Sequence, residues 1–200
     1  MATTQLERLT PGSWTFDPAH SEVGFTVRHA GISKVRGTFG EVDAQLQVAD
    51  PIENSTLTAT IGMASIDTKN ADRDAHVRSA DFFAVEDHPT MTFPSTDVAF
   101  DGAEGTITGE LTIKGITRSV ELATEFNGVV VDAFGVTRAG FSAEATISRK
   151  DFDITWNAAI EAGGVLVSDK VVIHLDVAFT APQSDPQDTV EGQEALSEGT

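Results

Sequence analysis

Two hundred residues leave room for one domain, or two small ones. Cysteine is absent, which excludes disulfide scaffolds, thiolate catalysis and thiolate metal sites. Thirteen Lys+Arg against 31 Asp+Glu give a net charge of -18, which repels nucleic acid and argues against docking on an anionic membrane surface.

Residues 1–11 carry no basic leader and no apolar stretch. They are expected to be a flexible lead-in without a secretory signal, and the chain as given is expected in the cytoplasm. No run of about 18 apolar residues occurs, so no transmembrane helix and no stable membrane insertion are expected. With no Tyr and two Trp, no aromatic girdle of an outer-membrane barrel can form.

From residue 12 to 180 apolar and polar residues alternate with period two. The rows are Val23-Phe25-Val27, Leu57-Ala59-Ile61-Met63, Ile107-Gly109-Leu111-Ile113, Val120-Leu122-Thr124-Phe126, Phe141-Ala143-Ala145-Ile147 and Val171 to Phe179. Each predicts a half-buried antiparallel strand. Turn signals separate them at Asp50-Pro51, Asp101-Gly102, Lys114-Gly115, Asn127-Gly128 and Gly163-Gly164. Of these, Asn127-Gly128 is the strongest hairpin signal.

Asn70 to Phe83 breaks the alternation and predicts a short helix. Asn70 would cap it, Asp72 and Asp74 suit its first turn, and Asp74 and Arg78 stand at ion-pair spacing. Ser79 or Asp81 would cap a second turn carrying Phe82 and Phe83, and Pro89 stops further helix. After Ala181 the character changes. Residues 182–200 hold five acids and no cation, which predicts a disordered acidic tail and leaves the 12–181 body acidic in its own right.

About eight or more locally connected strands predict an all-β antiparallel sheet that hides its edges in a barrel or a sandwich. A barrel of eight strands holds packed side chains or one small ligand. The small residues Ala59, Gly109, Ala143 and Ala145 fit either a cavity or a tapered packed interior.

Several motifs combine into a resemblance. Trp14 to His29 (WTFDPAHSEVGFTVRH), Lys34 to Phe39 (KVRGTF) and Ser65 to Phe83 (SIDTKNADRDAHVRSADFF) are similar to consecutive signatures of the YceI-like family. Gly109 to Thr117, Gly140-Phe141 and Arg149 to Phe152 follow in the same order, so the resemblance spans residues 12–181. It implies an extended lipocalin-like β-barrel that holds a long apolar chain, such as a polyisoprenoid or isoprenoid quinone. It also implies a bound isoprenoid-type lipid rather than a cofactor, and no enzyme activity. Many family members are exported to the periplasm and resemble dimers; nothing in this sequence marks an interface. The acidic tail lies outside the family pattern.

On this reading Trp14, Phe16, Val23, Phe25, Val27 and Phe39 line the barrel from its first strands. Leu57, Ile61, Phe82, Phe83, Phe93 and Leu111 continue the lining, and Phe141, Ala143, Ile173 and Leu175 complete it. His29 ends an inward row, so it is either a hydrogen-bonded structural group near the mouth or a donor to a head group. Arg73 and Arg78 either pair with neighbouring acids or meet an anionic head group. The five histidines, His20, His29, His76, His88 and His174, show no local zinc spacing, so no metal is expected. No Gly-x-Ser-x-Gly elbow and no phosphate loop appear. Two other readings stay open: an enzyme acting on such a lipid with His29 as acid or base, and a packed barrel serving as a stress-related interaction module whose acidic body and tail recruit a basic partner.

Overall fold

The alternating rows become the staves of a closed antiparallel barrel. The computed structural model describes residues 5–161 and 163–182. Its strands are β1 (Gly12–Phe16), β2 (Glu22–His29), β3 (Ser33–Phe39), β4 (Val42–Val48), β5 (Thr56–Gly62) and β6 (Ile66–Asp67), followed by the helix α1 (Ala71–Arg78). Then come β7 (Thr90–Asp101), β8 (Glu104–Ile113), β9 (Ile116–Val131), β10 (Thr137–Ser148) and β11 (Val167–Thr180). The sheet order is β1-β4-β5-β7-β8-β9-β10-β11-β2-β3-β6, and β1 returns to pair with β11. β1 meets Phe179 and Thr180 of β11, whereas β2 meets its residues 167–176, so β1 and β2 are two segments of one stave. β3 and β4 form a second divided stave, and β5 and β6 a third. Eleven strands therefore make eight staves, an even number that closes without a free edge.

The lower end is packed shut. Trp14 is fully buried there among Leu46, Val48, Phe126, Ala139 and Phe179, and its indole N–H donates to the Thr10 carbonyl at 2.9 Å. Gln5–Arg8 form a 3-10 helix, Leu6 packs on this cluster and Leu9 is buried in it. Leu6 and Leu9 thus tie this segment into the plug, where the sequence predicts a flexible lead-in; residues 1–4 lie outside the described residues. The expected acidic tail lies beyond Pro182, outside the described residues.

Asn127-Gly128 is not a hairpin. β9 runs straight through it, and the pairing with β10 slips so that Gly140 faces Gly128 while Phe141 faces Phe126. Asn127 is the extra residue of a β-bulge. Gly128 accommodates it with φ +117°, and the Asn127 amide donates to Ser142 Oγ at 2.9 Å. The real turn comes at Asp132–Gly135, where Asp132 accepts from the backbone N–H groups of Phe134 and Val136.

Asp74 and Arg78 do not pair. Asp74 turns inward, is buried, and accepts from Thr68 N and Thr68 Oγ1 at 2.9 and 2.6 Å, which ties α1 to β6. Asn70 caps the helix as expected, accepting from Arg73 N at 2.9 Å. The helix stops at Ser79, and Phe82 and Phe83 follow on turns rather than a second helical segment.

One charged cluster closes the barrel wall near β1. Buried Asp17 accepts from Arg138 Nε at 2.7 Å and pairs with His20 Nδ1 at 2.9 Å, while Arg138 also pairs with Asp132. The Arg138 guanidinium holds the Asp17 carboxyl below its ordinary value of 3.8 against the opposing effect of burial. A depressed carboxylate pKa stabilises the fold above the unfolded value and ceases to do so as pH falls through the folded value. Asp17→Asn should therefore cost about 2 kcal/mol at neutral pH. The gap to the parent protein, read from urea midpoints, should narrow below about pH 4. A gap that stays constant down to acid would refute this assignment.

Candidate functional site

Above the plug the barrel is hollow. The cavity measures about 400 Å³, in the range of sites that enclose a small organic ligand. Inward residues of β2, β10 and β11 face one another in register: Phe25 opposes Ile173, and Leu175 opposes both Val23 and Ala143. Ala59 and Ala143 leave room at mid-height. Gly109 and Ala145 do not open the cavity. A Cβ on Gly109 would meet the Phe93 ring at 2.4 Å, so that glycine makes space for Phe93, and Ala145 is buried in the wall packing. Gly37 serves Phe25 in the same way, since its Cβ would lie 2.5 Å from that ring.

The expected lining is brought together with one exception. Phe16, Val23, Phe25, Val27, Phe39, Leu57, Ile61, Phe82, Phe83, Phe93, Leu111, Phe141, Ala143, Ile173 and Leu175 all face the cavity. Trp14 does not: it shares its strand face with Phe16 but lies one step lower, inside the plug. The upper rim lies where His29 ends β2 opposite Val167, the first residue of β11. His29 is on the rim and exposed. Arg73 lines the cavity, with Nε and Nη2 donating to Thr68 Oγ1 and Thr68 O at 2.7 and 2.6 Å. Arg78 points elsewhere and donates to the Ile66 carbonyl at 3.1 Å, so it fixes β6 and does not reach the cavity.

Among the lining groups that the sequence reading did not assign there are Arg149, Trp156 and His76. Arg149 is buried in the wall. Its Nε donates to Ser168 O at 3.0 Å, and its Nη1 to Ile154 O and Trp156 O at 2.9 Å each. Burial pushes its pKa down, Asp169 works against that, and no carboxylate touches it among the described residues. A signal was present: Arg149 continues the inward row 141-143-145-147 by one more step. Trp156 and His76 gave none. Both join Phe82 in a cluster with ring centroids 4.7 to 5.2 Å apart, and His76 Nε2 meets Asp81 Oδ2 at 2.8 Å. The wall is apolar for most of its length, and its nitrogen-bearing side chains are gathered toward the rim. The cavity thus offers an apolar body with polar groups at one end.

The family model described as YceI-like domain matches residues 14–179. The chain belongs to the YceI-like family. A UPF0312 protein of Staphylococcus epidermidis is 38% identical over 169 residues, covering 84% of this chain and 96% of that one. The crystal structure of the Campylobacter jejuni YCEI protein superposes with a TM-score of 0.67 at 33% identity, covering 84% of this chain and 96% of that one. A polyisoprenoid-binding domain from Saccharophagus degradans shares the fold, with a TM-score of 0.64 at 14% identity over 84% of this chain and 98% of that one. The YceI-like barrel and its eight staves are thus the family architecture. Among the described residues no helix is long and apolar enough to cross a membrane.

Proposed function

We propose that this protein holds one long-chain apolar lipid, a polyisoprenoid or isoprenoid quinone, with its tail in the barrel and its polar end near His29, Arg73 and Arg149. The observation that carries this reading is the closed-bottomed cavity, lined mainly by apolar side chains with its nitrogen-bearing ones toward the rim. Each methylene buried there contributes roughly 0.8 kcal/mol, so a tail of several isoprene units outweighs the ordering cost of binding. The polyisoprenoid-binding neighbour supports the same ligand class.

The reading is of a carrier or store, not an enzyme. Among the described lining residues the only hydroxyls are Thr68 and Thr124, and both donate within the protein, to Asp74 Oδ1 and Leu122 O. Neither sits against a free base, as an activated nucleophile would. Native mass spectrometry of the purified protein, followed by lipid extraction, is the test. The expected result is one discrete added mass per chain, or its appearance after incubation with isoprenoid quinones and polyprenyl phosphates. A chain that stays bare after both incubations would overturn the proposal.

A further inference from the structure

The rim of the cavity carries a surface that the net charge conceals. Residues 28–36 (RHAGISKVR) hold three cations and no acid in a chain of net charge -18. Arg28 and Lys34 are register partners on β2 and β3, Arg36 lies one step along, and all three are exposed. None of them joins an ion pair among the described residues. The hairpin tip between the strands presents Ile32 at 86% exposure. A hydrogen bond of 2.7 Å from Ala30 N to Leu166 O ties this tip to the loop carrying Val165, itself 53% exposed. Two apolar tips and three unpaired cations thus stand together beside the mouth.

We propose that this rim docks on the surface of an anionic lipid bilayer, with Ile32 and Val165 entering the headgroup region and Arg28, Lys34 and Arg36 meeting lipid phosphates. The pattern is that of an interfacial anchor, in which modest apolar burial and cationic attraction add. Each cation near such a surface strengthens binding about five-fold. The nearest acid on the second loop is Glu161, and Asp169 is engaged by Ser148 Oγ and Lys150 N. The acids of the lower end lie roughly 35 Å away along the tilted 14-residue β11, several screening lengths of about 8 Å. Of the other acids at this end, Asp67 pairs with Lys69 and Asp81 with His76, so the unpaired cations of residues 28–36 keep a local positive surface. A second apolar cluster, Val130, Val131 and Phe134, lies at the opposite end, where Asp132 and Asp17 already neutralise Arg138. It lacks the cations that suit an anionic surface.

The purpose of docking rests on the lipid-holding reading, but the two are measured separately. Sedimentation with phosphatidylcholine vesicles, with and without phosphatidylglycerol, reads docking; native mass spectrometry of the same samples reads cavity loading. The full chain should bind only the phosphatidylglycerol vesicles and be released by salt. Ile32→Glu, and Lys34→Glu with Arg36→Glu, should each weaken binding about ten-fold or more. Phe134→Glu should leave it unchanged, and all variants should keep their melting temperature and loading. Failure of the full chain to bind either vesicle would overturn the proposal, and so would equal binding by the Ile32 variant. A concentration-dependent dimer broken by Ile32→Glu, without vesicle binding, would assign the rim to a second copy instead.

Discussion

Ala143→Phe is expected to empty the barrel without unfolding it. Ala143 faces the cavity between Thr124 and Leu175, where the wall is hollow rather than packed. An added ring would occupy space that a tail needs, and it would meet no tightly packed neighbour. Overpacking a dense core costs about 1–3 kcal/mol, so a ring pointing into a cavity should cost no more than about 1 kcal/mol. Loading, read as the ligand-bound fraction in native mass spectra, should fall about ten-fold or more. Ala59→Phe, on the wall formed by β5, should act alike. Equal loading in both variants would show that the tail lies elsewhere.

Trp14→Ala should do the reverse, harming the fold more than the ligand. The indole is fully buried, and its N–H is satisfied by Thr10. Truncation leaves a large void and an unpaired Thr10 carbonyl, at a cost of about 3–5 kcal/mol. For a chain of this size that lowers the melting temperature by roughly 10 °C or more. Trp14→Phe refills most of the void and should recover more than half of the loss. Loss of loading with little change in melting would return Trp14 to the lining and contradict the plug.

These two residues also show what was legible in the sequence. Fifteen of the sixteen expected lining positions reach the cavity; period two assigned the strand faces among them, whereas Phe82 and Phe83 arrive on turns after α1. It cannot assign height. Trp14 and Phe16 share a face, and the chain's own N-terminal turn fills the barrel below one and leaves it open above the other. Local signals failed where partners from distant segments decided the outcome. Asn127-Gly128 has the chemistry of a hairpin, yet the long ladder with β10 makes a bulge the better use of the same dihedral freedom. Asp74 stands at ion-pair spacing from Arg78, but the two Thr68 donors offer it a buried, charge-assisted site, and Arg78 turns to the Ile66 carbonyl instead. Trp156 comes from irregular chain, where no periodicity exists to be read.

The barrel seam joins the first strand to the last, and this sets an order of events in time. β11 runs alongside both β1 and β2, so the divided first stave has no partner on that side until residues 167–180 are made. The chain leaves the ribosome at about 5–20 residues per second, and such distant pairings form late and slowly. Until then the inner rows of ten strands have no enclosed space to define. The hollow is a property of the completed barrel, so any molecule held there enters after residues 167–180 have been made.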